Sequence, residues 1–348
     1  MKFGVIGTGM MGCEHIRNLT HIPGVELIAV SDPDPTSRQW ASKACGETFA
    51  PVVCANYQQL LDLRPDAVII ASPNYTHIDV MRDLMQTDIH VLLEKPMCTS
   101  LADARELVTL SEQRDALTWV ALEYRYMAAT QKFLAHLPQV GDLKMLFIRE
   151  HRFPFLEKVG HWNRFNEFTG GTLVEKCCHF FDLMNLAIGA RPVRVMASGG
   201  QDVNHRDERY AGRAPDILDN AYVIIEYDNG VRACLDLCMF AEGSRNEQEL
   251  VATGSQAKLE VHIPDNQLNL SWRDKRPVES FAVETDPRVK YTGFHHGASY
   301  LEQLEFIQAI NDKQPATITT RDGYWSVAIG VAAQQSIQQG TAVNIEAP

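Results

Sequence analysis

The sequence predicts an α/β protein with an N-terminal Rossmann domain, a doubly wound parallel sheet, and a C-terminal α+β domain with a large, open, mostly antiparallel sheet. In the first third of the chain, short apolar runs alternate with helical patterns, which is typical of βαβ units. After about residue 125, strand-like runs follow one another, and Asp228-Asn229-Gly230 marks a hairpin turn between two of them. The length of 348 residues also favours two domains, which we assign to residues 1–124 and 125–348.

The first domain is predicted to alternate strands with helices. Apolar runs bounded by glycine or proline predict five strands, at residues 2–6, 25–32, 66–73, 90–96 and 118–124. Periodic patterns between them predict helices at residues 10–20, 35–45, 56–63, 76–87 and 100–114. Strands of the second domain are predicted at residues 143–153, 194–200, 220–240 and 257–263. A final helix over 321–339 is predicted to begin at Asp322 and to end at Gly340.

Composition excludes several classes of partner. A formal net charge of −12 and a pI near 5.5 argue against nucleic acid or an anionic membrane as the main partner. No apolar run approaches the length of a membrane span, and the first residues lack the features of a signal peptide. The 8 cysteines are scattered rather than arranged as a disulfide framework. We therefore expect a cytoplasmic protein with reduced thiols.

The glycine pattern at residues 7–12, GTGMMG, predicts a dinucleotide site. It lies between a predicted strand and a predicted helix, and Asp32 ends the next strand, which is the context this fingerprint requires. Gly7 makes the turn, Gly9 admits the pyrophosphate and Gly12 lets the helix pack on the sheet. Asp32 can bind the ribose hydroxyls and would repel a 2′-phosphate, so NAD is favoured over NADP, although Arg38 lies nearby. A flavin or an empty fold is the less favoured alternative.

The carboxyl ends of the third and fourth predicted strands should face the nicotinamide, because ligands of open α/β sheets bind at that edge. A lysine there, beside a glutamate, can bind a substrate hydroxyl and lower its pKa. A solvated charge pair is the alternative for Glu94-Lys95. The full set of predicted cofactor-binding residues is Gly7, Gly9, Met10, Met11, Gly12, Asp32, Arg38, Ser72, Pro73, Asn74, His77, Glu94 and Lys95.

Motifs along nearly the whole chain resemble the Gfo/Idh/MocA family, which includes glucose–fructose oxidoreductase and inositol dehydrogenases. They are GTGMMG, ASPNYTH (71–77), LLEKPM (92–97), GGTLVEKCCHFFD (170–182), and FHHGASYLEQLEFIQAI with RDGYW near the end. The resemblance implies a Rossmann domain followed by an open sheet, and oxidation or reduction of a sugar or polyol carbinol. It also implies that Lys95 is catalytic and that the protein is a homodimer or homotetramer built on the large sheet.

Residues 170–182 also carry the rest of the predicted chemistry. Members of the family have Asp-x-x-x-His here, with the histidine as the proposed base; Glu175 and His179 occupy these positions. Four residues is about one helical turn, so both side chains can reach one substrate. Which of the two takes the proton is open, and His179 can instead be structural. The role of Lys176 is also open.

A metal site in the same segment is disfavoured. Cys177 and Cys178 diverge by about 100° on a helix, so they cannot both join Glu175 and His179 as ligands. We predict no metal, and we interpret both cysteines as packing residues.

Substrate contacts are predicted from residues that follow the boundary and precede residue 170. Aromatic, amide and basic side chains suit a sugar ring, and several arginines could hold an anionic group. Surface charge is an equal alternative for Arg152 and Arg164. The predicted substrate-binding residues are Lys95, Tyr124, Arg125, Arg152, Trp162, Asn163, Arg164, Glu175, His179 and His296.

The function predicted from the sequence is NAD-dependent hydride transfer to or from a carbinol of a sugar, inositol or related polyol. One alternative is a glycoside-cleaving enzyme that uses NAD for transient oxidation followed by elimination. Another is an NAD-binding sensor without catalysis. The acidic composition argues against a sensor that contacts DNA.

Overall fold

The computed structural model describes residues 1–348, which form two compact units. The first unit contains residues 1–126 and 287–324, and the second contains residues 127–286 and 325–347. The predicted boundary at 124/125 lies two residues from the first of these divisions. Residues 287–324, which follow the second unit's sheet in sequence, pack with the first unit.

The first unit is built on a six-stranded parallel sheet with the order β3-β2-β1-β4-β5-β6. This confirms the predicted Rossmann domain. Its strands are β1 Lys2–Ile6, β2 Glu26–Ser31, β3 Val52–Cys54, β4 Ala67–Ile70, β5 His90–Glu94 and β6 Thr118–Ala121. The central strands are almost wholly buried apolar runs, as expected for a sheet covered on both faces.

Five helices connect these strands, at the positions that the periodicity predicted. They are α1 Met10–Leu19, α2 Pro35–Cys45, α3 Tyr57–Leu61, α4 His77–Leu84 and α5 Leu101–Ser111. Side-chain caps begin three of them: Asp34 accepts from the N–H of Ser37, Asn56 from that of Gln59, and Ser100 from that of Asp103. Helix α1 has no side-chain cap, because Gly9 precedes it. Short 3-10 helices follow β4 and β6, at Asn74–Thr76 and Glu123–Tyr126.

The second unit is built on a nine-stranded sheet with the order β14-β13-β12-β11-β7-β10-β9-β8-β15. Only β7 and β10 pair in parallel, and the other neighbours are antiparallel. The predicted mostly antiparallel sheet is therefore confirmed. Its strands are β7 Leu143–His151, β8 Pro192–Gly200, β9 Asn220–Tyr227, β10 Arg232–Cys238, β11 Gln248–Gly254, β12 Ala257–Ile263, β13 Gln267–Trp272, β14 Glu279–Ala282 and β15 Val343–Asn344.

Helices of the second unit cover one face of this sheet, where the strands alternate buried and exposed residues. They are α6 Ala128–His136, α7 Asn166–Thr169, α8 Thr172–Glu175 and α9 Cys178–Ile188, with 3-10 helices at Leu137–Val140 and Val159–Arg164. The hairpin at residues 228–230 is confirmed: Gly230 has φ +83°, and its N–H donates to the carbonyl of Tyr227.

Two further helices complete the chain, α10 Ala298–Asp312 and α11 Thr320–Gln339. The last helix begins two residues before the predicted start, because a capping box forms there. Thr319 Oγ1 accepts from the N–H of Asp322, whose Oδ2 accepts from the N–H of Thr319 at 2.7 Å. Gly340 follows the helix with φ +65°, as predicted. None of the helices is both long enough and apolar enough to cross a membrane.

Candidate functional site

Candidate site residues follow five of the parallel strands of the first unit. Gly7 follows β1, Asp32 follows β2, Ser72 lies two residues after β4, Lys95 follows β5 and Glu123 lies two residues after β6. The carboxyl ends of parallel strands meet at one edge of a sheet, so these residues share the edge at which open α/β sheets bind ligands.

The glycine loop at this edge has one open position. Gly7 has φ +86°, and a Cβ there would overlap the backbone of Ser72. A Cβ on Gly12 would overlap the carbonyl oxygen of Gly7, whereas no atom lies within 4 Å of the Cβ position of Gly9. The uncapped N-terminus of α1 begins directly after Gly9. The loop therefore leaves open the approach that the pyrophosphate of a dinucleotide requires, beside free N–H groups. Met10 and Met11 form the first turn behind it.

Asp32 is fixed next to this loop. Its Oδ2 accepts from the N–H of Thr8 at 2.7 Å, and its Oδ1 accepts from the N–H of Asp34 at 2.9 Å. Each oxygen keeps lone pairs for ribose hydroxyls. Arg38 donates from Nη1 to the carbonyls of Asp32 and Pro33 at 2.7 and 2.9 Å. The arginine thus holds the backbone of this turn, and the arrangement fits NAD.

His77 joins the ends of β4 and β5. Its Nε2 lies 3.0 Å from the carbonyl oxygen of Ser72, and its Nδ1 lies 2.9 Å from that of Pro96. The ring is completely buried. Asn74 is also buried, and Pro73 is half-buried. The two strand ends that carry Ser72 and Lys95 are therefore held together by one imidazole, while cofactor contact by His77 itself stays a prediction.

Glu94 is a buried anion beside Lys95. Its Oε1 lies 2.6 Å from Nε2 of His15, and its Oε2 accepts from the backbone N–H of Lys95 at 3.1 Å. Burial by itself would raise the pKa of Glu94, but the His15 hydrogen bond and the nearby charges of Lys95 and His295 lower it below its usual value. The Glu94-Lys95 pair is therefore not a solvated charge pair.

A second group of buried acids lies in the first unit. His295 Nδ1 is 3.2 Å from Glu14 Oε1, and its Nε2 is 3.6 Å from Glu123 Oε1. Burial lowers the pKa of His295, but these two carboxylates outweigh it and raise the pKa overall. Burial raises the pKa of Glu123 and of Glu302, which lie near Glu94 and each other. His296 has φ +54° and is exposed, so the adjacent histidines occupy different environments.

Tyr124 and Arg125, predicted to bind substrate, are buried in the first unit. Arg125 Nη2 forms an ion pair with Asp322 Oδ1 at 3.0 Å. The ring of Tyr124 lies 6.2 Å from that of His295. The charge of Arg125 is thus balanced by the first turn of α11.

In the second unit, two glycines introduce the segment that carries Glu175 and His179. Gly170 and Gly171 have φ +75° and +89°, and a Cβ on Gly171 would overlap the side chain of Gln334. The predicted single helix is interrupted, because α8 ends at Glu175 and α9 begins at Cys178. The two residues between them keep right-handed helical angles, with φ/ψ of −94°/−43° at residue 176 and −84°/−6° at residue 177.

Glu175 and His179 are both buried. Sequence reasoning missed Lys158, whose Nζ lies 4.0 Å from Glu175 Oε1 and 4.9 Å from the ring centroid of Trp162. The only sign of this contact in the sequence is a basic residue in a segment without a predicted helix or strand. The carboxylate therefore has an ammonium group within ion-pairing distance.

Lys176, whose role was open, anchors this segment to the sheet. Its Nζ lies 2.8 Å from Oε1 of Glu150 on β7, and both side chains are buried. Cys177 and Cys178 are buried thiols, and the Cys178 thiol donates to the carbonyl of Glu175 at 3.5 Å. No group of three or more His, Cys, Asp and Glu side chains is placed to hold a metal ion. The segment is built around an ion pair and packed thiols.

The other residues of the second unit that were predicted to bind substrate form ion pairs and hydrogen bonds inside that unit. Arg152 Nη1 lies 3.4 Å from Glu150 Oε1, and its guanidinium lies over the ring of Phe153. Arg164 is buried, with Nε 3.1 Å from Glu208 Oε2. The buried Asn163 donates to the carbonyl of Leu156 at 2.9 Å. Arg164 thus has a carboxylate partner 44 residues away in sequence, whereas that of Arg152 is only two residues away.

Two domain models of one oxidoreductase family match the chain. Residues 1–122 match the model described as the NAD-binding Rossmann fold of the family, and residues 138–345 match the model of its C-terminal alpha/beta domain. Together with the open glycine loop and Asp32, this shows that the first unit is an NAD-binding Rossmann domain.

Several known proteins are similar over their full length. Myo-inositol 2-dehydrogenase of Thermotoga maritima is 24% identical, with 99% of each chain covered. The scyllo-inositol 2-dehydrogenase (NAD(+)) of Bacillus subtilis is 23% identical over 99% of this chain and 96% of that protein. The solved structure of levoglucosan dehydrogenase in complex with NADH has a TM-score of 0.87 at 17% identity, with 100% of both chains covered. The structural likeness at this identity shows the shared fold.

Proposed function

Because this chain belongs to the Gfo/Idh/MocA oxidoreductase family, we propose that it transfers a hydride between a carbinol carbon of a neutral sugar or polyol and NAD. The relatives that act on inositols support this class of substrate. Bound in the first unit, NAD⁺ would supply the hydride acceptor, so that oxidation of the carbinol yields a carbonyl, NADH and a proton. The residues of this chain must therefore bind the substrate oxygen and remove that proton.

The observation that carries the proposal is the placement of Lys95. It directly follows β5, at the edge of the sheet that holds the glycine loop, and the loop backbone packs against Ser72. His77 ties the ends of β4 and β5 together. An ammonium group at this edge can bind the substrate oxygen and stabilise the alkoxide character that develops as hydride leaves.

We assign the proton to His179 and hydroxyl binding to Glu175. An imidazole titrates near neutrality and suits proton removal from an alcohol. Lys158 lies 4.0 Å from the Glu175 carboxylate. A glutamate carboxylate accepts hydroxyl hydrogen bonds well but is ordinarily a weaker base than an imidazole, which favours His179 as the proton acceptor.

The arginine contacts favour a neutral substrate over an anionic one. Arg125, Arg152 and Arg164 each lie within 3.4 Å of a carboxylate of their own unit. A substrate carboxylate or sulfonate would have to compete with these partners, whereas a neutral hydroxyl does not need an uncompensated cation. We therefore infer a neutral rather than an anionic substrate.

A substrate panel tests the proposal. Purified protein with NAD⁺ is given inositols, neutral aldoses and ketoses, uronic acids and sulfonated sugars, and NADH is followed by absorbance. We expect NADH formation with at least one neutral polyol or sugar, and at least 10-fold lower kcat/KM for its anionic analogue. The absence of NADH with every compound would contradict the proposal. Release of an aglycone from a glycoside with catalytic NAD⁺ and no net NADH would replace it with transient-oxidation glycoside cleavage.

We also propose that a second copy of this chain covers the open face of the large sheet. The strand register aligns Met196, Ile224, Cys234, Phe147 and Val251 in one row across five strands. Met196 and Ile224 are 55% and 44% exposed. The rows on either side of it carry charges of both signs. Cross-strand neighbours in one row are Arg194, Glu226 and Arg232, and those in the other include Asp236, Arg149 and Glu249.

An apolar stripe between mixed charges is self-complementary, as a two-fold interface requires. We expect a dimer or tetramer by light scattering and a smaller species for Ile224→Glu. A monomeric wild type would contradict this assignment.

All eight cysteines are thiols, which supports the predicted location in the reducing cytosol.

A further inference from the structure

Three buried polar side chains form a hydrogen-bonded chain that ends at Lys95. Gln303 Nε2 on α10 lies 2.6 Å from His15 Nδ1 on α1. His15 Nε2 lies 2.6 Å from Glu94 Oε1, and Glu94 Oε2 accepts from the N–H of Lys95 at 3.1 Å. Gln303 and His15 are each 1% exposed, and Glu94 is 4% exposed. The chain thus runs through the interior of the first unit to the strand end that carries the proposed substrate-binding ammonium group.

The donor pattern defines which atom carries the proton. The Gln303 amide nitrogen can only donate, so Nδ1 of His15 accepts and Nε2 carries hydrogen. That hydrogen is donated to Glu94, which consequently acts as an acceptor at both oxygens. A buried carboxylate with two such donors is stabilised as an anion.

We propose that His15, oriented by Gln303, is a positioning residue for Lys95: it holds the Glu94 carboxylate as an anion that fixes the backbone of residue 95 and keeps the lysine protonated. This role rests on the proposed function of Lys95. It also gives the histidine three residues after Gly12 a function that the dinucleotide fingerprint does not assign.

Several charged groups face Glu94. His15 approaches from α1, and Lys95 follows on the same strand as Glu94. Three further groups are close enough to interact with Glu94: His295 from the loop before α10, Glu302 from α10 and Glu123 from the segment after β6. Only His15 donates a hydrogen bond from its ring to a Glu94 oxygen. Replacing His15 would remove that donor while His295 and Glu123 stay, so Glu94 would bind a proton more readily.

Protonation of Glu94 would remove an anion that interacts electrostatically with Lys95, and loss of an opposite charge lowers the pKa of an ammonium group. In His15→Leu we therefore expect the basic limb of the kcat/KM profile to move down by about one pH unit or more. The KM for NAD⁺ should change by less than about threefold. His15→Gln, whose amide can donate to Glu94, should recover at least half of the shift.

His21→Leu is a matched control, because this exposed histidine follows the same helix α1 and its side chain contacts only the Arg17 carbonyl, the Thr20 hydroxyl and the ring of Tyr291. Its pH profile should be that of the wild type. Should His15→Leu not fold, Gln303→Met is tested instead. It leaves His15 in place without its donor, and a smaller shift of the same sign is expected. A wild-type profile in every folded variant of His15 and Gln303 would overturn the proposal.

A substrate-free measurement separates this inference from the proposed function. The rate at which an acylating reagent labels Lys95 is measured against pH by mass spectrometry, since only the free amine reacts. We expect the labelling midpoint to fall in His15→Leu and to stay unchanged in His21→Leu. A fall with no activity on any polyol would refute the proposed function alone. An unchanged midpoint in His15→Leu would refute the role of His15, whatever the activity.

Discussion

Replacing Lys176 by methionine tests whether a buried ion pair anchors the segment that carries Glu175 and His179. The Nζ of Lys176 lies 2.8 Å from Oε1 of Glu150, and both side chains are buried. Removing one partner of a buried pair typically costs about 3–5 kcal/mol, because the other charge is left in a poorly solvating interior. Arg152 lies 3.4 Å from the same oxygen and compensates part of the loss. We therefore expect the lower end of that range, about 3 kcal/mol.

A domain of 150–250 residues loses about 2–4 °C in Tm for each kcal/mol, so the melting of the second unit should fall by about 6–12 °C. Scanning calorimetry of Lys176→Met, Glu150→Gln and the double variant measures this. The double variant should be more stable than Lys176→Met, because it no longer buries the Glu150 carboxylate without Lys176, and Arg152 keeps Glu247 at 3.8 Å.

Lys144→Met is the matched control for this experiment. Lys144 also lies in the second unit and is 3.9 Å from Asp142, but both side chains are exposed, so Tm should change by no more than about 2 °C. Our reasoning would be refuted by a similar small change in Lys176→Met, or by strictly additive effects in the double variant.

The remaining predictions concern the cofactor site and a buried acid. Gly9→Ala should keep the wild-type Tm yet bind NADH at least about 10-fold more weakly in a fluorescence titration. Gly12→Ala should lower Tm, because the added Cβ overlaps the backbone of Gly7. Equal Tm values for the two variants would contradict this. Asp32→Ser should raise the kcat/KM for NADP⁺ relative to that for NAD⁺ by at least about 10-fold, and an unchanged ratio would count against the ribose role of Asp32. Glu302 is buried and its pKa is raised well above the usual value, so the folded state holds a proton that the unfolded chain releases above about pH 4.3. The contribution of Glu302 to stability is therefore lost as the pH rises from about 4.3 toward the pKa of the folded state. Gln at position 302 can still accept the hydrogen bond from Trp119 and does not titrate. The Tm of Glu302→Gln relative to that of the wild type should therefore rise between pH 5 and pH 8. A constant difference across that range would show that Glu302 is ionised in the fold.

The elements that sequence predicted well are those with strong local patterns. The parallel strands of the first unit are continuous apolar runs, and the glycine loop with Asp32 has a fixed spacing that follows from the βαβ geometry. Strand β3 gave too little signal, because it has three residues and its two valines are exposed. The break between α8 and α9 was also missed, since residues 176 and 177 keep helical angles and no proline or glycine marks it.

The partners of the site residues could not be predicted, because they are distant in sequence. Glu94 and His15 are 79 residues apart, and His15 and Gln303 are 288 apart. Nothing local to Arg125 indicates that Asp322 would balance its charge. The return of residues 287–324 to the first unit creates several of these contacts, and only packing of the whole unit determines it.

The measurement that tests our central claim most directly is the turnover of Lys95→Ala and His179→Ala with the best neutral polyol and NAD⁺. We predict that kcat/KM falls by at least about 100-fold in both variants, as expected when a general base or an electrostatic catalyst is removed. NADH binding, followed by fluorescence, should stay within about threefold of the wild type, so that the loss is one of chemistry. Wild-type turnover in either variant would contradict the roles assigned to these residues.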